Sequence, residues 1–177
     1  DASFRPFEVA AETITTTDNR VWTIKLRAGW TFHTGEPVTA DSYITAWNAG
    51  AWGPNAHDAN SYYDKIVGYR DLNPTDGTMP KARKLTGLVK KDDLTFEVTL
   101  NEPYVNFKSM LGYTAFYPLP RAAFTDVATN TITDAYQEAP IGQGPFKMKG
   151  TWQHDQLIET ERFADYAGPK KPSIAGV

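Results

Sequence analysis

The strictest constraint on this chain is the alternation in Leu94-Thr95-Phe96-Glu97-Val98-Thr99-Leu100. Successive side chains of a strand point to opposite faces, so Leu94, Phe96, Val98 and Leu100 share one side and the polar residues share the other. A strand of this kind needs a neighbouring strand and an apolar layer to cover it. Residues 85–90 supply a partner across a Lys91-Asp92-Asp93 turn. Trp22, Ile24 and Leu26 alternate with Thr23, Lys25 and Arg27, which predicts a second hairpin of residues 13–17 with 20–27 about Asp18-Asn19. Residues 146–152 and 157–162 read as a third hairpin about Gln153-His154-Asp155.

Helical signals are fewer. Thr39 can cap a helix with Asp41 in its first turn and Tyr43, Ile44, Trp47 and Ala51 on one face, ending near Gly50 or Gly53. Tyr104, Phe107 and Leu111 share a face before Gly112 and predict a short helix, after which residues 113–117 read as extended. Residues 121–128 and 134–139 are further helix candidates. Residues 52–80, rich in Gly, Pro, Asn and Asp, read as a long surface excursion with a short ordered segment over 62–69. The tail from Ala167 is rich in Gly, Pro and Lys. The sum is an α+β fold, antiparallel β hairpins with a few packed helices.

Composition removes several classes of function. The 177 residues suffice for one well-cored domain, or one domain and a piece of another. A net charge of −3 argues against nucleic acid or a membrane surface as partner. No cysteine is present, which excludes disulfides, thiolate catalysis and Cys-ligated metals. No apolar run approaches the ~20 residues of a spanning helix. Asp1, without a leader before it, reads as a cut or processed end.

A search for reacting groups finds none that converge. His33, His57 and His154 are far apart and lack metal-ligand spacing, and none of the few serines sits in a nucleophile elbow. Glu159 and Glu161 share a strand face and read as solvated charges. Gly142-Gln143-Gly144 leads into a strand rather than a helix, the wrong context for a phosphate loop, and reads as a device for a sharp turn. The reading is therefore no enzyme, no metal and no cofactor. Trp22, Phe32, Trp47, Phe96, Phe107 and Phe146 fall on apolar faces and read as core. Asn60, Ser61, Tyr62 and Tyr63 sit in an aperiodic segment, where a phenol can offer a ligand both apolar contact and a hydrogen bond. A tyrosine that anchors its own loop explains the segment equally well.

Taken together, VWTIKLRAGWTFHTGEPVTADS, DDLTFEVTLNEPYVNF, PIGQGPFKMKGTW and ETERFADYAGPKKP resemble, in order, the motifs of the extracellular solute-binding proteins of family 5, the oligopeptide and dipeptide receptors of ABC importers. The likeness runs from about Val9 to Val177, and WNAGAWGPNAHDANSYY points to the actinobacterial branch. Thr34, Ser42 and Gln143 depart from the family pattern, at turns and at a helix start.

The resemblance implies a partial periplasmic-binding-protein architecture (type II, cluster C). Residues 1–20 would be a flank from the first lobe, 21–139 the small subdomain, and 140–177 a return segment toward the first lobe. It implies the substrate-binding component of an ABC peptide importer, outside the cell, with a peptide ligand and permease subunits as partners. A membrane contact would come only through an N-terminal lipid anchor absent from this chain, as in a cell-surface lipoprotein or a periplasmic receptor. Asn60, Ser61, Tyr62 and Tyr63 match a segment that places a tyrosine near the ligand backbone, and His33 becomes scaffolding with a local hydrogen bond. The rival reading is a carbohydrate-binding module presenting aromatic rings to glycans, against which the inward-facing Trp pattern argues.

Overall fold

A computed structural model describes residues 7–177. Its centre is a four-stranded antiparallel sheet in the order β1-β2-β4-β3, built from β1 (Ala11–Thr16), β2 (Val21–Leu26), β3 (Leu88–Lys90) and β4 (Thr95–Thr99). The alternating sequences set the register: Trp22 lies opposite Val98 and Ile24 opposite Phe96. Trp22, Ile24, Leu26, Phe96, Val98 and Leu100 are all buried. On the outer face Lys25 pairs with Glu12 at 2.8 Å and Lys91 with Glu97 at 3.2 Å. β1 pairs with β2 to form the first hairpin. The turn is longer than the two residues expected: the Asp18 carboxylate accepts the N–H groups of Arg20 and Val21 at 2.9 and 2.8 Å, and Asn19 takes the left-handed conformation.

Helix α1 (Ala40–Ala51) covers the apolar face of the sheet. The Tyr43 ring stacks on Phe96 at 5.7 Å, and Trp47 meets Phe96 edge-on at 5.5 Å. Ser42 Oγ accepts the N–H of Thr39 at 3.1 Å, so serine keeps the capping contact at the position where the sequence departs from its family pattern. The helix is buried on more than the expected stripe, since Ala46, Asn48 and Ala49 are also enclosed.

The cause is the segment that follows α1, which corrects the expectation of a surface excursion over 52–80 in its first part, whereas residues 75–79 are exposed. Trp52, Tyr63, Ile66, Leu72 and Leu85 are buried in the core, and Val67 N–H donates to Thr99 O at 3.0 Å. Within it α2 (Tyr69–Leu72) and single 3-10 turns at Gly53–Asn55 and Asn60–Tyr63 form. Its asparagines do specific work on α1. Asn55 donates to Ala49 O at 3.0 Å, Asn60 to Gly50 O at 3.1 Å and Asn73 to Ala51 O at 2.8 Å. Ala49 O also accepts the Trp52 N–H at 3.3 Å, and the carbonyls of Gly50 and Ala51, at the open end of the helix, are satisfied by side chains.

Further along, α3 (Phe107–Met110) is a single turn ending ahead of Gly112. Residues 113–117 are not extended: Thr114–Phe116 is a 3-10 turn. Nor is 121–128 a helix. Arg121–Ala123 forms one 3-10 turn and passes into β5 (Phe124–Asp126), which pairs with β6 (Thr131–Ile132). Here local helix propensity yields to burial of Ala123 and Phe124 against Ala49 of α1. Helix α4 (Asp134–Glu138) follows, then β7 (Phe146–Met148) paired with β8 (Thr160–Arg162). Phe163 and Tyr166 pack into the main core, with Tyr166 edge-on to Trp30 at 5.6 Å. Among the described residues no helix is long and apolar enough to cross a membrane.

Candidate functional site

The Asn60–Tyr63 turn separates its four residues by role. Tyr63 is withdrawn from the surface: it is 2% exposed, its hydroxyl donates to Ala115 O, and its ring lies 5.3 Å from Phe116. Burial pushes its phenol well above the ordinary tyrosine range. It is the loop anchor that the sequence left as an alternative. Asn60 is engaged at both ends of its amide, donating to Gly50 O and accepting the Tyr69 hydroxyl at 2.6 Å. Ser61 is exposed, and Tyr62 is 38% exposed.

Gly50 makes the seating of Tyr63 possible. A Cβ there would stand 2.5 Å from the Tyr63 hydroxyl oxygen, so only glycine lets α1 approach this ring. On the far side Trp47 Nε1 donates to Phe116 O at 3.0 Å and fixes the Thr114–Phe116 turn. That turn delivers a residue which sequence reasoning did not single out. The Tyr113 ring, 55% exposed, lies 5.2 Å from Tyr62, and Phe116 meets Tyr62 edge-on at 6.4 Å from within the core. Two exposed phenols thus stand together on a buried aromatic support. Nothing in the sequence marks the pairing, because Tyr113 lies in an aperiodic stretch far along the chain.

The remaining candidates resolve into structural contacts. Glu159 pairs with Lys149 at 2.7 Å and Glu161 with Lys147 at 3.0 Å, so each carboxylate meets a lysine of the opposite strand. Among the described residues no group of three His, Asp or Glu side chains could hold a metal ion. Trp22, Trp30, Trp47 and Trp52 are buried, while Trp152 is exposed near the tip of the last hairpin and stacks on His154 at 4.3 Å. The rings therefore do not form the flat outer platform that a glycan-binding module would need.

His33 is scaffolding, but of a longer reach than the local bond expected. Gly142 N–H donates to His33 Nδ1 at 3.2 Å, His33 Nε2 bonds to Gly144 O at 3.1 Å, and His33 N–H donates to Gly142 O at 2.9 Å. Gly142 and Gly144 do not take the left-handed conformation a sharp glycine turn would require. At Gly142 an added Cβ would lie 3.4 Å from the His33 ring, an ordinary contact.

The profile of the bacterial extracellular solute-binding proteins, family 5 (middle region) matches residues 8–177. The chain belongs to this family. Among curated family 5 relatives, the periplasmic oligopeptide-binding protein OppA of Salmonella typhimurium is 31% identical over 168 residues, covering 94% of this chain and 30% of OppA. The dipeptide-binding protein DppE of Bacillus subtilis is 28% identical, covering 84% of this chain and 26% of DppE. Among solved structures, Listeria monocytogenes OppA bound to peptide superposes with a TM-score of 0.78 at 25% identity, over 94% of this chain and 32% of that one. This family 5 chain spans about 30% of the length of its curated relatives, and its α+β architecture is that of a portion of the periplasmic-binding-protein fold. Family 5 members are solute-binding proteins rather than enzymes.

Proposed function

We propose that this chain is part of the substrate-binding component of an ABC peptide importer, which captures oligopeptides or dipeptides outside the cell and delivers them to permease subunits in the membrane. The observation that carries this reading is the match of residues 8–177 to family 5 together with relatives whose names state oligopeptide and dipeptide binding. Within such a receptor, residues 21–139 act as the small subdomain, 1–20 and 140–177 connect it to the first lobe, and an N-terminal lipid anchor ties the whole to the membrane.

In this reading the Asn60–Tyr63 turn is the ligand-facing element. Tyr62 and Ser61 meet the peptide, while Asn60 and Tyr63 hold the turn in place from beneath. The support is physical: an exposed phenol on a rigid seat offers apolar area and a hydroxyl at low entropic cost. Burial of most of a ligand needs two facing walls. Isothermal titration with a panel of di- to pentapeptides tests the proposal on this chain and on a polypeptide that carries it with both lobes. The two-lobed form should bind at about micromolar Kd or tighter and the chain alone should not, with Tyr62→Ala weakening the two-lobed form by roughly tenfold, about 1.4 kcal/mol. Micromolar binding by the chain alone, or full affinity of the Tyr62 variant, would sink the reading.

A further inference from the structure

We propose that His33 is an acid-released latch: its neutral ring ties the 31–37 turn to the 140–145 segment, and a proton on Nδ1 frees that segment. The inference is independent of any ligand. One residue makes three hydrogen bonds to a three-residue stretch more than a hundred positions away in the chain, two through the ring and one through the backbone.

The hydrogen-bond pattern determines the tautomer. Gly142 N–H points at Nδ1, which must therefore offer a lone pair, so the ring hydrogen sits on Nε2 and is donated to Gly144 O. An imidazolium carries hydrogen on both nitrogens. Its Nδ1–H would face the Gly142 N–H, donor against donor, and the contact at 3.2 Å could not survive. The ring also lies 5.0 Å from Phe163, an apolar neighbour that does nothing to solvate a charge.

The surroundings leave His33 as the group there that changes charge near neutrality. From α4, Tyr136 donates its hydroxyl to Ile141 O at 3.0 Å, and from α1, Tyr43 accepts from Gln143 at 3.4 Å. Burial pushes both phenols up to about 12, so neither titrates. On β7, Lys147 is the charged group whose field reaches the ring, and it is paired with Glu161 of β8 at 3.0 Å. Glu36, in the same turn as His33, accepts the Arg121 N–H at 2.9 Å. Apart from His33, Phe163 N–H bonds to Pro145 O at 2.9 Å and travels with the β7–β8 hairpin.

Burial lowers the His33 pKa below 6.5; the Gly144 bond pulls the other way and Lys147 adds to the lowering. A lowered folded value means that the latch contributes fully above the unfolded value and is lost as pH falls through the folded one. Between the two, the opening constant of the segment rises by at most about tenfold per pH unit.

The test is amide hydrogen exchange and 15N imidazole NMR on the 177-residue chain from about pH 7.5 to about pH 5. Expected are an Nε2–H ring at the upper pH, a Gly142 amide less protected than that of Val98 at every pH, and a Gly142 protection factor that falls as pH drops below about 6.5, at a slope of at most about tenfold per unit. His33→Phe, which keeps a ring against Phe163, should remove the pH step, while His57→Gln and His154→Gln should keep it. Nδ1 carrying the hydrogen, a flat Gly142 profile, equal protection of Gly142 and Val98, or a step that persists in His33→Phe would each overturn the latch. If His33→Phe does not fold, the imidazole spectrum and the exchange profile of the unaltered chain decide by themselves.

Discussion

Tyr62 and Tyr63 are neighbours in the chain, yet one lies 38% exposed and the other 2%. On a single 3-10 turn adjacent side chains point about 120° apart, so one can enter the core only if the other leaves it. Substitution separates the two roles. Tyr63→Phe leaves the half-buried Ala115 carbonyl without the tyrosine hydroxyl and should cost about 1–2 kcal/mol in urea unfolding. Tyr62→Ala should stay within about 1 kcal/mol of the parent. Gly50→Ala drives a methyl into a ring that is hydrogen-bonded and cannot yield, and should cost about 1–3 kcal/mol. A thermal melt unchanged by Gly50→Ala would contradict the seating of Tyr63 described above. The segment 60–63 was legible in the sequence as special, because it broke periodicity. Its division of labour was not, since the acceptor of Tyr63 is Ala115 and the companion of Tyr62 is Tyr113, both supplied by a turn far away in sequence.

The elements differ in how much local sequence decided them. Strands β2 and β4 follow from alternation alone, because a period of two leaves one way to bury Trp22, Ile24, Phe96 and Val98 together. Helix α1 starts where Thr39 and Ser42 place it, and Ser42→Ala should cost about 1 kcal/mol by removing the acceptor for Thr39 N–H. Its end is another matter. Gly50 lies inside the helix, and the last turn is completed by Asn55, Asn60 and Asn73 reaching back to carbonyls 49–51. Asn60→Ala and Asn73→Ala should each cost about 1 kcal/mol and raise amide exchange in the last turn of α1, while Asn106→Ala, elsewhere on the chain, should not. Equal exchange in all three variants would show that water satisfies those carbonyls as well as asparagine does. The same side chains explain why 52–73, polar enough to read as a surface loop, is packed, while residues 75–79 are exposed as expected: the amides face a helix end and the few apolar residues fill the core.

For the molecule as a whole, acid should act in two stages. His33, with a lowered folded pKa, contributes stability above about pH 6.5 that is lost as pH falls through its folded value. The carboxyls of Glu8, Glu12, Asp18, Asp76 and Asp92 also have lowered values. For Glu8 and Glu12 the first cause is a hydrogen bond from Lys108 and Lys25 respectively, for Asp18 and Asp92 backbone N–H groups, and for Asp76 the Thr78 hydroxyl. Their contribution is present above the ordinary carboxylate values of 3.8 and 4.5 and fades below them. Urea midpoints against pH should therefore decline first below about pH 6.5 and again below about pH 4.5, with the first decline absent from His33→Phe. A single decline confined to the carboxylate range would remove His33 from the account. The sequence alone determined the paired hairpins, the start of α1 and the membership in family 5, because periodicity, capping and motif order are properties of residues near one another in the chain. Only the tertiary structure decided which tyrosine is exposed, which asparagines close α1 and what His33 holds, because each depends on a backbone group that folding brings in from a distant stretch.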